Sequence, residues 1–418
     1  MSNNRLDFEE TTQTDLVTGK SPWGNNAYRP ERQPLTESFR TGIAIIGGGI
    51  TGALAAEHLT GLGYAVTIID REPVGLGSTA ASTAMLQWEI DAPLTELTRY
   101  YGFDRAADIY RRSLAAVSGL EALVTRHSLP CRFAARQTLY LAAEEVGAGA
   151  LMEEHKLRHR AGLPGSFLDY TALRREFGLD REAAIHSQGA AEADPLLMAW
   201  SLLTLAQSRG ARLIEASVKE FSEEGGRVVI AVEGSYVIEA DHVVLATGYV
   251  MPHAVMPKLH STVSSFAIAT VPQDPVKLWR DRALIWEASA RYHYLRLTAD
   301  NRIIIGGEDE AVVDPQQRDN MLADKTACLW DTLGKIWPDI DPRVSHAWCG
   351  TFGETSDGLP LIGCVPSAQR IFAAYGYGGN GITFSYMASR IIAAMIRGER
   401  HDWFDDFALD RDDPTDKA

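Results

Sequence analysis

A chain of 418 residues with a formal net charge of −15, 45% hydrophobic and 23% charged, has the composition of an ordinary folded protein and length for about two or three structural units. The acidic balance excludes a nucleic-acid binder, which needs basic patches to displace counterions. Its four cysteines, Cys131, Cys328, Cys349 and Cys364, form no Cys-x-x-Cys pair, which argues against a disulfide framework or zinc site and for a reducing, cytoplasmic setting.

The first residues, MSNNRLDFEE, are polar and carry no apolar segment of a secretory signal. Residues 1–40, with Pro22, Pro30 and Pro34, are expected as an N-terminal extension lying on the surface. IAII (43–46) predicts a strand, a glycine-rich turn and a helix follow, and AVTII (65–69) predicts a second strand, together a βαβ unit. The longest uncharged apolar run lies in this unit and is broken by Glu57 and His58, too short to span a bilayer. Apolar residues at three- and four-residue spacing predict helix from Pro93 to Leu129. A strand is expected over 132–141 and helix over 145–179 with breaks at Gly162, Pro164 and Gly165; a helix over 195–210 ends at Gly210. RLIEA, RVVIAV and YVIEADHVVLATG read as strands. Beyond Ser261, so do STVSSFAIATV, ALIWEA and YHYLRLTADNRIIIGG, the last with TADNR as a hairpin turn. Helices are expected over 316–336 and 386–398. Seven aspartates between Asp402 and Ala418, against Arg411 and Lys417, predict a solvated acidic tail over 401–418.

The turn in the βαβ unit fits Gly-x-Gly-x-x-Gly as Gly47, Gly49 and Gly52. The first glycine allows a sharp turn, the second keeps a side chain away from a pyrophosphate, and the third lets helix pack closely on strand. The helix start, with Ile50 and Thr51, offers free N–H groups to phosphates. The second strand ends in Asp70, placed to accept hydrogen bonds from ribose hydroxyls, with Arg71 beside it. The unit therefore holds a dinucleotide, but by itself it does not choose between NAD(P) and FAD. An NAD(P)-dependent reductase would need a second such glycine unit, and none is present.

Further segments carry a resemblance. GLGSTAASTAML (75–86), HVVLATGY (242–249), WCGTFGETSDGLPLIG (348–363) and YGYGGNGITFS (375–385) follow the βαβ unit in order. In this set the chain resembles the D-amino-acid oxidase/glycine oxidase/sarcosine oxidase superfamily, and SPWGNNAYRP in the lead-in is similar to γ-glutamylputrescine oxidase-like members. The resemblance implies an α/β fold: a Rossmann-like FAD-binding domain (parallel sheet, helices and a small β-meander) over 41–90, 181–262 and 345–400, and a second α+β substrate domain with a large mixed sheet over 91–180 and 263–344. It implies FAD contacts from Ser78, Thr79, Ser82 and Thr83, from Val218, from Ala246, Thr247 and Gly248, and from Gly376, Gly378, Gly379, Asn380, Gly381 and Ile382. The asparagine usual in the family's second segment has no counterpart here. Family members that attach FAD covalently do so through a cysteine near Cys349, but the spacing to Asp357 is one residue longer here, so non-covalent FAD is expected.

The family places substrate between the second sheet and the flavin. In RYHYLRL a period of two puts Tyr292, Tyr294 and Arg296 on one face and His293, Leu295 and Leu297 on the other. The first face is either a substrate wall or a solvent-facing ladder; His293 reads as a satisfied core histidine. Trp88 and Glu89 are further candidates. The arginine that clamps a substrate carboxylate in the family's amino-acid oxidases would fall near Phe352, and no arginine is there. The expected reaction is thus hydride removal from a C–N bond of an amine or N-substituted amino acid, with no assured acid or base and with O2 or a quinone as acceptor. A flavin-holding subunit without turnover and a D-amino acid or glycine oxidase stay open as alternatives. No metal is expected, and an oligomer is compatible with the sequence.

Overall fold

The apolar and alternating runs pair into two ten-stranded sheets in a computed structural model of the chain. The structure describes residues 5–7, 17–24, 28–143, 146–252, 255, 257, 259–341, 343–366 and 368–417. In the first sheet, Phe39–Ile46 lies parallel to Val66–Asp70 on one side and Val237–Leu245 on the other. These strands are covered on both faces, which is why IAII is continuously apolar and VTII is buried throughout, Thr67 included, instead of alternating in exposure. Val218–Glu224, Arg227–Val232 and Val237–Leu245 form the expected antiparallel meander. The helix Ile50–Gly61 is buried on nearly every side between the helices Pro195–Ser208 and Gly381–Ile396.

The second sheet is mixed. Leu284–Ala288 runs parallel to Ala134–Ala142, while its other pairings are antiparallel. The hairpin of His293–Leu297 and Ile303–Glu310 turns through 298–302, where Asn301 takes φ +65°. The α/β class with a parallel-cored sheet and a second mixed sheet is therefore the observed fold. Sheet membership and the expected residue ranges do not coincide, however. Ala183–Glu192 and Val344–Thr355 belong to the second sheet. The long helix Phe103–His127 buries Ala106, Tyr110, Val117 and Leu120 in the same core as Leu54, Met198 and Ile391, against the first unit's helices.

Several local expectations are corrected. Gly102, at φ +78°, divides the 93–129 helix into Leu94–Tyr101 and Phe103–His127. Within 145–179, Ser166–Asp169 is a strand, recruited by Ala183–Glu192. The last helix begins at Gly381, before 386. The extension does not lie loosely on the surface: Val17–Gly19 adds to the second sheet, and Gln33–Pro34 and Arg5–Asp7 add to the first. Residues 1–4, 8–16 and 25–27 of it lie outside the described residues.

The acidic tail is solvated only in part: Asp402, Asp405, Asp410 and Asp412 are exposed, but the segment between them is anchored. Phe404 and Phe407 insert into the main core. Asp406 pairs with Arg105, and Arg411 Nη2 lies 2.9 Å from Asp357 Oδ1, whose carboxylate has no solvent exposure. Burial alone would raise the Asp357 pKa, but Arg411 and the Tyr101 hydroxyl hold it below the usual carboxylate value. Aspartate count said nothing of the two phenylalanines between them.

Arg411→Met should cost about 3–5 kcal/mol in denaturant unfolding, because it leaves a buried carboxylate without its countercharge. Burial lowers the pKa of both His58 and His260 to about 4 from 6.5. The unfolded chain therefore binds more protons in this window, and stability is lost as pH falls from 6.5 toward 4. His260→Gln should flatten that slope in a series of melting curves taken across the window.

Candidate functional site

A single cavity of about 530 Å³ opens at the carboxyl ends of the first sheet's parallel strands and continues to the face of the second sheet. Of the cofactor residues expected from sequence, all but Gly52 and Gly376 line it. Gly52 serves packing: a Cβ there would collide with the Gly47 carbonyl, so the helix could not sit on the strand. Gly376 only turns the chain, at φ +67°. Gly47, at φ +109°, brings the first turn against the Ala246 carbonyl, which a Cβ would strike.

Two helix starts face this cavity. The helices Ile50–Gly61 and Gly381–Ile396 have no side-chain cap, whereas Pro195–Ser208 and Pro315–Ile336, elsewhere in the fold, are capped by Asp194 and Asp314. Thr51 Oγ1 and Ser385 Oγ bond at 2.8 Å and lock the two starts side by side. Apart from the Ile50 amide, which Thr79 takes, their first-turn N–H groups meet no side-chain cap, and with the helix dipoles they make the cavity receptive to phosphate and to a ring that gains negative charge. Asp70 accepts from the Gly48 amide at 2.6 Å and the Glu72 amide at 2.9 Å, and burial pushes its pKa up. Asp70, Arg71 and Val218 line the same end of the cavity.

The segment Ser78–Ala84 is gripped through its carbonyls. Trp348 Nε1 donates to Ala81 O, Trp23 Nε1 to Ser82 O, and Arg296 Nη1 to both Thr83 O and Ala84 O, all at 2.8 Å. Thr79 Oγ1 accepts from the Ile50 amide at 2.9 Å and ties the segment to the first helix start. Ser78, Thr79, Ser82 and Thr83 are left lining the cavity, and Ser78 Oγ is buried with no partner.

The second glycine turn is held from the opposite side. Asn380 Nδ2 donates to Gln87 O and Glu89 O, Thr383 Oγ1 to Gln87 O, and the Gly379 amide to Asp91 Oδ2 at 2.7 Å. Residues 87–91 alternate. Gln87, Glu89 and Asp91 line the cavity, while Trp88 and Ile90 are fully buried in the core.

At the far end Tyr292 and Tyr294 line the cavity as a wall, with ring centroids 6.0 Å apart, beside Trp286 and Phe352. Arg296 does not join them. It is 2% exposed, and Nη1 also donates to Ala193 O, so its expected part in substrate binding is corrected: strand twist carries it under residues 83–84, where it holds backbone. His293 is not a core histidine; it bridges Glu287 and Glu308 on the other face of the strand. Trp88 is a core residue whose indole donates to Gln188 O. Cys349 is fully buried in the cluster behind the second sheet, off the cavity, and burial pushes its thiol up to about 12. Sequence reasoning missed Trp23, Gln87, Asp91 and Trp348. The period-two pattern of QWEID was a signal for Gln87 and Asp91; Trp23 and Trp348 lie in segments that carry the family resemblance, but nothing local shows that each holds a carbonyl of residues 81–84.

The residues fit FAD. Two uncapped helix starts converge on one cavity, a carboxylate stands at one end, and Ser78 Oγ, Gln87 Nε2 and Trp286 Nε1 are buried without partners along its lining. Among the described residues there is no cluster able to hold a metal ion, and no helix long and apolar enough to cross a membrane.

Residues 42–395 match the family model DAO, FAD dependent oxidoreductase. The chain is 25% identical over 397 residues to gamma-glutamylputrescine oxidoreductase of Escherichia coli (strain K12), covering 92% of this chain and 89% of that one. It is 26% identical over 394 residues to glycine oxidase of Bacillus licheniformis, covering 88% and 96%. The crystal structure of glycine oxidase from Geobacillus kaustophilus superposes with a TM-score of 0.75 at 21% identity, over 90% of this chain and all of that one, and L-proline dehydrogenase from P. horikoshii with 0.74 at 19%, over 90% and 98%.

Acid precipitation of the purified protein should release all of its yellow colour into the supernatant, with Cys349→Ser behaving identically. Asp70→Ala should weaken FAD retention by roughly tenfold in equilibrium dialysis, the loss of a charge-assisted hydrogen bond.

Proposed function

Because the chain belongs to the DAO family of FAD-dependent oxidoreductases, we propose that it oxidises the C–N bond of an amine or N-substituted amino acid to an imine. Bound FAD supplies the acceptor for the hydride and its electron pair. Asp70, Arg71 and Val218 would hold the adenosine end, Gly47–Thr51 the pyrophosphate, and residues 78–83 with the turn at 378–382 the ring. Relatives named for γ-glutamylputrescine oxidoreduction and glycine oxidation act on molecules that carry such a bond.

One observation carries this reading. The cavity that begins with a dinucleotide turn ends in Tyr292, Tyr294, Trp286 and Phe352, a wall of aromatic rings with no basic side chain among them. The rings exclude water and set the substrate carbon against the ring plane of the coenzyme. Burial, reinforced by Asp309, drives the pKa of Tyr292 and Tyr294 well above that of a free phenol. Both stay protonated near neutral pH, so they orient the amine by hydrogen bonds and do not take its proton. The amine must therefore arrive neutral. Phe352, standing where a carboxylate clamp would be, disfavours a simple amino acid.

Anaerobic mixing with a panel of amines tests this by bleaching of the flavin band. The reduction rate should rise with pH about tenfold per unit below the amine pKa and level off above it. A rate flat through that pKa, or bleaching by glycine and D-alanine alone, contradicts the scheme; no bleaching by any amine points to a flavin-holding subunit. Tyr294→Phe should retain FAD and slow reduction by roughly tenfold or more, the scale of one lost orienting hydrogen bond.

A further inference from the structure

We propose that the aromatic end of the cavity takes an aliphatic α,ω-diamine as its monocation: the neutral amine is oxidised while the second, protonated, is held by the carboxylates of Glu89 and Asp91, with Asp309 beside them. This rests on the amine-oxidoreductase reading and narrows its substrate class.

This wall of carboxylates begins with the alternation at 87–91, which turns Glu89 and Asp91 to the cavity. Glu89 is 2% exposed. Its Oε1 accepts from Thr138 Oγ1, and its Oε2 is buried with no partner. Asp309, on the Ile303–Glu310 strand, is not itself in the lining; it takes hydrogen bonds from the lining residues Tyr292 and Ser265, and its Oδ1 is buried without a partner. Glu354, exposed on Val344–Thr355, adds a further negative charge that both Asp91 and Asp309 feel. Burial and these like charges push Asp91 up to about 6.

Arg158 pairs with Glu89 through Nη1 at 3.8 Å from Oε1 and bonds Glu154 through Nε at 2.7 Å, so it offsets the charge at Oε1 and leaves Oε2 without a donor. The other nearby cations are committed elsewhere. Lys325 pairs with Glu308 and Glu310. Arg318 bonds Thr18 and Thr351, and Arg296 bonds main-chain carbonyls.

Two enclosed carboxylate oxygens without donors are costly unless a ligand satisfies them. An alkylammonium carries three N–H donors and the missing charge. The ring faces of Tyr292, Tyr294 and Trp286 attract the same cation. A substrate carboxylate would meet the opposite conditions: like charges, and Phe352 at the clamp position.

Calorimetric titration of the FAD-loaded protein with diaminobutane, butylamine and γ-aminobutyrate, run beside anaerobic bleaching by the same compounds, tests this. Diaminobutane should bind at least roughly tenfold more tightly than butylamine, with γ-aminobutyrate weakest. Glu89→Gln should bring the diamine-to-monoamine ratio close to one, and Asp309→Asn should lower it, while the exposed Asp324→Asn leaves it unchanged. Retention of the flavin spectrum shows that each variant is folded. Equal binding of diamine and monoamine, or γ-aminobutyrate binding as well as the diamine, overturns the proposal, and bleaching by amines would then still uphold the oxidoreductase reading. If the compounds bind in the expected order and none bleaches, the carboxylate wall stands and the redox reading falls.

Discussion

The site depends on one piece of backbone being held from outside. Four successive carbonyls, Ala81 to Ala84, accept hydrogen bonds from Trp348, Trp23 and Arg296. The donors come from the second sheet and from the N-terminal arm. A loop of small residues has little packing to fix it, and each unmet buried carbonyl would carry a desolvation cost of about 1–3 kcal/mol. With the carbonyls taken, the segment keeps one conformation, including φ +52° at Ala84, and presents its hydroxyls to the cavity. Arg296 is fitted for this because one guanidinium reaches several acceptors at once. The Trp23 indole, 5.3 Å from the Arg296 guanidinium, covers it.

The same clamp joins the two sheets, so cofactor site and fold share their stabilising contacts. The bond between Thr51 and Ser385, 334 positions apart in sequence, makes a single electrostatic surface of two helix starts. Asp91 and Asn380 bind the second turn to residues 87–91. Donors and dipoles thus face the one cavity where phosphate and developing negative charge would lie.

The charges divide along the cavity in a way that suits this use. Helix starts supply positive potential along its middle, and carboxylates supply negative potential where an amine would enter. Cys349 is kept out by strand parity. Trp348 and Gly350 line the cavity, so the side chain between them faces the core behind the sheet.

The sequence by itself determined the dinucleotide unit, since turn, helix and Asp70 are contiguous and their spacing obeys local geometry. It determined most strands and helices through periodicity, and the flavin segments through a set of motifs in order. Tertiary structure decided the rest. Periodicity placed Arg296 on the correct face of its strand, but only sheet twist and the position of residues 83–84 showed that this face leaves the cavity there. Aspartate count made 401–418 read as solvent-bound, yet Phe404, Phe407 and the Arg411–Asp357 pair anchor it. Trp23 and Trp348 sit in recognisable segments, but the bond each makes is not legible there, because its acceptor carbonyl is 59 or 267 positions away. Local chemistry can be read from neighbours in sequence. A carbonyl's partner, or a carboxylate's lack of one, is settled only when distant strands are packed together.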